Sequence, residues 1–139
     1  MPHIDVYLFN KKGIKRDLTL VLDEGEEILS CIKKGMIDNN LSEVKVEAIE
    51  GRAKELLLNY FVRNNFKSST EKDANIMLAS GGFKLSYGEL FGSAKVVTGG
   101  KPPVHGTLVK GIAADGLTIK LSFVELVDNP LAIKDEKKK

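Results

Sequence analysis

Short runs of alternating apolar and polar residues, punctuated by glycines, are the feature that most limits how this chain folds. The alternation is clean at residues 117–124 and again at 44–48, as in strands that bury one face. From residue 74 onward, glycines separate several β-forming runs, which indicates tight turns, bulges or close backbone approaches. We expect the last two strands, 104–113 and 117–126, to form a hairpin.

The first third of the chain predicts two strands followed by a helix. Residues 3–9 and 17–22 are rich in β-formers and are joined by a turn predicted at Asn10–Gly13. Asp23 then has the character of a helix cap, with Glu26 three residues later as in a capping box. The predicted helix carries an apolar stripe formed by Ile28, Leu29, Ile32 and Met36. It is expected to stop at Asn39–Asn40.

The middle of the chain is less regular. A strand at 44–48 is expected to break at Gly51–Arg52. Residues 53–62 have a composition that favours helix, whereas their short length and aromatic end are compatible with a buried strand. Residues 64–73 are polar and predict a loop. The pattern as a whole predicts an α+β fold, with a mixed, mostly antiparallel sheet and one main flanking helix.

Composition is that of one globular domain. The chain has 139 residues, 42% of them hydrophobic and 29% charged, so it is long enough to bury a core without disulfides. We expect a single domain over residues 1–130 and a flexible basic tail over 131–139. Without that tail the body is close to neutral, which is weak support for a nucleic-acid partner. No secretory signal or membrane span is predicted, which favours the cytoplasm and excludes a membrane partner.

No complete catalytic or metal-binding constellation is present, and we expect no catalytic residues, metal or cofactor. His105 follows a glycine-rich approach and is the candidate base or ligand, with a strand-start histidine as the plain alternative. Lys84, Tyr87 and Lys101 are candidates to line an anion-friendly groove, beside Gly99 and Gly100. The Gly-Gly-Lys run lacks the spacing of a P-loop. Cys31 falls near the apolar helix face, which favours a buried hydrophobe over a nucleophile.

The order of these segments resembles the PPC domain, the plant-and-prokaryote conserved domain found beside AT-hooks in plants and alone in bacteria and archaea. The segments that carry the resemblance lie between about residues 17 and 127: Leu22–Leu29, Val44–Gly51, Leu56–Phe61, Val97–Gly100 and the final strand pair ending at Glu125. The resemblance implies a mixed sheet with a flanking helix, a homotrimer, and DNA binding or association with DNA-bound protein. It also implies a strand at Leu56–Phe61, which favours the strand interpretation of residues 53–62.

Two departures from the family pattern bear on function. Many prokaryotic members carry a His-x-His pair and a third histidine after Gly-Gly, a trio suited to metal binding. Here residues 83–89 contain no histidine, Lys101 follows the Gly-Gly pair, and His105 comes four residues later. The AT-hook core Arg-Gly-Arg-Pro is also absent.

Three functions therefore stay open at this point. The first is a non-catalytic homotrimeric module that binds DNA or a DNA-associated protein. The second is a small-molecule-binding protein or enzyme with a pocket between subunits near His105, Tyr87 and Lys101. The third is a purely structural assembly module.

Overall fold

Six strands and one helix make up the described part of the chain. The computed structural model describes residues 11–100 and 103–128, with the side chains of 11, 12, 127 and 128 left out. In chain order the elements are β1 (Lys11–Leu22), α1 (Ile28–Asp38), β2 (Glu43–Val62), β3 (Asn65–Ser86), β4 (Glu89–Thr98), β5 (His105–Ala113) and β6 (Leu117–Asp128). The predicted α+β class holds in a sheet-dominated form: one short helix accompanies long strands, and every pairing whose register is described is antiparallel.

The strands follow the order β1-β6-β2-β3-β4-β5, with an additional pairing of β2 to β5. The first half of β2 pairs with β6, from Lys45↔Ser122 to Glu50↔Thr118. Its second half pairs with β5, from Ala53↔Ala113 to Asn59↔Thr107. Because β2 also pairs with β3 along its other edge, the strands β2, β3, β4 and β5 form a closed ring of pairings.

The chain divides into two compact units. One is Asp17–Ser122, which contains the helix and the ring of strands. The other combines the two chain ends, Met1–Arg16 and Phe123–Lys139. In its described part, Arg16 Nε donates to Glu125 Oε2 at 3.0 Å. The predicted strand at 3–9 and the predicted basic tail at 131–139 lie outside the described residues.

The helix buries the stripe that the sequence predicts. Ile28, Ile32 and Met36 are fully buried, whereas Leu29 of the predicted stripe is only partly buried. The helix α1 lies against β5. The predicted cap is one turn too early, because Glu27 rather than Asp23 caps the helix and accepts from the Ser30 amide. The Glu26 carboxylate instead accepts from the Asp23 amide at 2.7 Å. The stop near Asn39 is confirmed, since Asn39 is the C-cap.

Three boundaries in the strands differ from prediction. The turn expected at Asn10–Gly13 is wrong, because residues 11–13 already belong to β1. The break expected at Gly51–Arg52 is also wrong, because β2 continues through it and only its partner changes from β6 to β5. Residues 53–62 are strand, as the resemblance implies. The polar stretch 64–73 is not a loop, because Asn65 onward pairs with β2 as part of β3.

The core lies on the inner face of these strands and beneath α1. Its largest fully buried side chains are Leu22, Ile28, Ile32, Met36, Val46, Ile49, Leu56, Leu58, Val96, Leu117, Ile119 and Leu121. The expected hairpin between β5 and β6 is wrong, because the chain turns at residues 114–116 but the two strands pair with successive halves of β2 instead of with each other. Ser122 departs from the expected polar face, because it is buried and donates to Glu47 Oε1 at 2.6 Å. Within the described residues, no helix is long and apolar enough to cross a membrane.

Candidate functional site

A groove of about 970 Å³ lies on the solvent face of the ring formed by β2, β3, β4 and β5. Each of these four strands contributes to its walls. The lining residues are 59–62, 66, 78–80, 95–97 and 105–107. The groove therefore depends on a register between segments that are far apart in the sequence.

The strand register places polar side chains in a row across all four strands. Ser80 on β3 pairs with Lys95 on β4, and Lys95 pairs with Thr107 on β5. Thr107 in turn pairs with Asn59 on β2. Directly paired residues in an antiparallel sheet project to the same face, so Ser80, Lys95, Thr107 and Asn59 form one polar row. With strands about 4.8 Å apart, the row is roughly 14 Å long.

His105 lies in the row next to this one. It pairs with Val97, which pairs with Leu78. Because Lys95 and His105 occupy diagonal positions on neighbouring strands, the two residues are expected about 7–8 Å apart. Both side chains are exposed, and neither has an ion pair or a hydrogen bond among the described residues. The polar end of the groove thus presents an ammonium and an imidazole.

Thr98 fixes the chain just before His105. Its side chain is buried, and its hydroxyl lies 3.3 Å from both the amide and the carbonyl oxygen of Val104. The Thr98 amide also donates to the Val104 carbonyl at 2.8 Å. The start of β5 is therefore held against the end of β4, which sets the position of His105 relative to Lys95.

The other end of the groove is apolar and exposed. Phe61, Val62, Phe66 and Leu78, which we call the apolar rim, are 72%, 41%, 61% and 68% exposed. Phe61 and Phe66 are cross-strand partners and pack edge to face, with ring centroids 5.3 Å apart. A contiguous group of exposed large apolar side chains on a single chain is typical of a binding surface.

The predicted site residues are not gathered in one place within this chain. Gly99 and Gly100 follow β4 directly and lead toward His105, and the Gly99 amide donates to the Asn75 carbonyl at 2.8 Å. Lys84 pairs with Phe91 on β4, whereas His105 pairs with Val97 on the same strand. Phe91 and Val97 are six residues apart, which corresponds to roughly 20 Å along β4. Tyr87 is fully exposed at the turn between β3 and β4. Lys101 lies outside the described residues.

Lys95 and the apolar rim are the residues that sequence reasoning missed. Alternation along β4 marks Lys95 as solvent-facing, but it gives no sign of which strands lie beside it. The rim had a local signal, because Phe61 and Phe66 stand symmetrically about Arg63–Asn64. Apolar residues placed evenly about two turn-forming residues are typical of a tight hairpin.

The residues present do not fit a metal site of the kind that the family resemblance brings to mind. In the described part of the chain, no three His, Cys, Asp or Glu side chains are close enough together to hold an ion. On β4, the cross-strand partner of His105 is Val97 and a diagonal neighbour is Lys95, and neither is a metal ligand of the usual kind.

Cys31 has the environment of an unreactive thiol. The pKa of the Cys31 thiol is raised to about 11, first by partial burial and then by the Glu26 carboxylate, whose Oε2 lies 3.5 Å from Sγ. Reactive cysteines show the opposite shift. A different surface pair, Lys54 and Glu24 at 2.6 Å, lowers the pKa of the Glu24 carboxyl through its hydrogen bond and charge.

Comparison with solved structures identifies the fold. A plant- and prokaryote-conserved (PPC) protein from Pyrococcus horikoshii superposes with a TM-score of 0.65 at 23% identity, covering 85% of this chain and 84% of that chain. The chain has a PPC-like fold. A metal-containing protein from Archaeoglobus fulgidus matches the PPC-like chain with a TM-score of 0.64 at 14% identity, covering 82% of it and 81% of that chain.

A third solved structure is a candidate DNA-binding protein from Ralstonia eutropha. It matches the PPC-like chain with a TM-score of 0.60 at 15% identity, covering 78% of this chain and 76% of that chain. No family model matches the sequence, and no curated protein matches it. The likeness is therefore one of fold, and it covers most of each chain.

Proposed function

We propose that the PPC-like domain assembles into a homotrimer in the cytoplasm and works in association with DNA, by contacting the duplex or a DNA-bound protein. The observation that carries the proposal is the apolar rim. A lone chain leaves Phe61, Phe66 and Leu78 more than half exposed on one surface, and burial of that surface against other copies would stabilise an assembly.

Support for the DNA part comes from two sources. The Ralstonia eutropha protein of the same fold is described as a candidate DNA-binding protein. In this chain, residues 59–70 at the tip of the β2–β3 hairpin include Arg63 and Lys67 and no Asp or Glu. Assembly would repeat this basic segment, and several phosphate contacts together give a nucleic-acid complex its affinity.

The test is a titration of the purified full-length protein into random duplex DNA at about 50 and 200 mM salt, with the mass measured in the same buffers by sedimentation. We expect a trimeric mass at micromolar concentration and DNA binding that weakens steeply as salt increases. A strictly monomeric protein would contradict the assembly. Absence of binding at 50 mM salt, or binding indifferent to salt, would contradict direct contact with DNA.

A second function is favoured by a different observation. The polar end of the groove combines Lys95 and His105 with no acidic lining residue. This suits a small-molecule site near His105, placed so that a neighbouring subunit would enclose it. In that case His105→Ala would reduce ligand binding and leave the unfolding transition unchanged.

A further inference from the structure

The polar row and the apolar rim face one groove, and together they select a class of ligand. We infer that the groove binds a small aromatic anion, with its phosphate or carboxylate on Lys95 and His105 and its ring on the apolar rim. This inference rests on the second function above, the small-molecule site, and is independent of DNA binding.

The charge of the lining favours an anion. Lys95 and His105 are the residues of the lining that can carry a positive charge, and no Asp or Glu lies among them. Two other described lysines have an acidic partner: Lys54 pairs with Glu24 at 2.6 Å and Lys120 with Glu50 at 3.6 Å. Lys95 has no such partner among the residues that the structure describes, so its ammonium is free to bind an added anion.

Hydrogen-bonding side chains flank the charge on both sides. Ser80 and Thr107 are the direct cross-strand neighbours of Lys95, and each hydroxyl has a proton to donate. Neither hydroxyl has a hydrogen-bond partner among the described residues. A phosphate or carboxylate over Lys95 would therefore meet an ammonium between two hydroxyls, with the His105 imidazole on the diagonal. Such charge-assisted hydrogen bonds are stronger than neutral ones.

The size and apolar end of the groove argue against a bare inorganic ion. A volume of about 970 Å³ is at the upper end of the range for small-molecule sites. A ring placed over Val97 and Leu78 would share the groove with the Phe61–Phe66 pair, because all four residues line it. Aromatic side chains of this kind favour stacked or edge-to-face contacts with a ligand ring.

The test compares paired probes by calorimetry with the full-length protein. Adenosine 5′-monophosphate is measured against adenosine and inorganic phosphate, and phenylacetate against its uncharged amide. We expect at least one of the two aromatic anions to bind on the order of tenfold more tightly than its uncharged partner and than phosphate alone. The phosphate and carboxylate arms tell which anionic group the site prefers. Equal binding of charged and uncharged probes, or binding of none, would overturn the inference.

A matched pair of variants locates the site. Lys95→Met should weaken the preferred anion by about tenfold and leave its uncharged partner unaffected. Lys84→Met, the same change at an exposed lysine on β3 away from the groove, should change neither. Unaltered anion binding in Lys95→Met would overturn the inference that the Lys95 ammonium binds the anionic group of the ligand.

Measurement of mass on the same samples separates this inference from the assembly. A monomer that binds the anion through Lys95 would contradict the trimer alone. A trimer that binds no probe but dissociates in Lys95→Met would assign the groove to a contact between subunits and overturn the ligand site.

Discussion

Gly81 and Gly92 lie where the backbones of β3 and β4 come unusually close. Gly81 pairs with Ala94 and has a φ of 154°, and Gly92 pairs with Phe83 and has a φ of 117°. A Cβ atom on Gly81 would meet the Ser93 carbonyl oxygen and would approach the Ala94 Cα to 2.7 Å. The sequence predicts such approaches from glycine density, but only the structure shows which glycines make them.

This contact gives a prediction with a built-in control. Gly81→Ala should lower the free energy of unfolding by about 3 kcal/mol, from backbone strain and from overlap with the neighbouring strand. Gly82→Ala should change it by less than about 1 kcal/mol, because its Cβ would come no nearer than 3.4 Å to the Val44 carbonyl oxygen. Urea unfolding of the two variants at equal protein concentration checks this. Similar losses in both would show that β3 and β4 have room to move apart.

At the scale of the element, the β2–β3 hairpin is the least expected feature. Its two-residue turn, Arg63–Asn64, has φ values of 51° and 66°, as in the type I′ turns that suit the twist of a hairpin. The first half of β3 is polar on both faces because it is exposed on both faces. A strand without an apolar face has no period-two signal, and this is why residues 64–73 resemble a loop in the sequence.

The turn predicts opposite effects of one substitution at adjacent positions. Asn64→Gly should stabilise the protein by about 0.5 kcal/mol, since glycine adopts a positive φ without strain. Asn65→Gly should destabilise it by about 1 kcal/mol, because Asn65 is a strand residue paired with Val62. Thermal unfolding of both variants at matched concentration measures the difference. A loss of stability in Asn64→Gly as large as that in Asn65→Gly would exclude the type I′ turn.

Prediction from sequence succeeded where a residue's partners are close in the chain. The stripe of α1 and the half-buried strand at 44–48 each follow from a local period. The predicted hairpin of β5 with β6 is wrong, because both strands pair with β2 instead. The strand at 53–62 needed the family resemblance, because its composition alone favours helix. The groove could not be predicted from the sequence, because its polar residues become neighbours only through the registers of four strands. These residues are Asn59, Ser80, Lys95 and Thr107. His105 was singled out by its residue type and by the glycine-rich segment that precedes it.

At the scale of the whole molecule, the apolar rim and a second exposed phenylalanine offer a direct test of assembly. Phe61 and Phe66 are cross-strand partners at the tip of the β2–β3 hairpin. Phe91, which is 57% exposed, pairs with Lys84 on β3 and is not part of the groove. If copies of the chain meet through the rim, Phe61 and Phe66 contribute to the subunit contact and Phe91 does not.

We therefore expect Phe61→Ser combined with Phe66→Ser to shift the assembly toward monomer by at least about tenfold in dissociation constant, since two aromatic anchors are lost. Phe91→Ser should retain the wild-type mass. Sedimentation over a range of concentrations measures both. If Phe91→Ser dissociates while the Phe61→Ser, Phe66→Ser double variant keeps the wild-type mass, the subunit contact would lie on the β3–β4 hairpin instead.

The double pairing of β2 also has a consequence for how related sequences can differ in length. β2 meets β3 along one edge and both β6 and β5 along the other. An inserted or deleted residue near its start would reverse the facing of the later side chains against all three partners, and one in its second half would do so against two. The turn at Tyr87–Gly88 has no such neighbours, since nothing lies within 4 Å of a Cβ placed on Gly88. Natural length variation in chains of this fold should therefore collect at such turns and spare the twenty residues of β2.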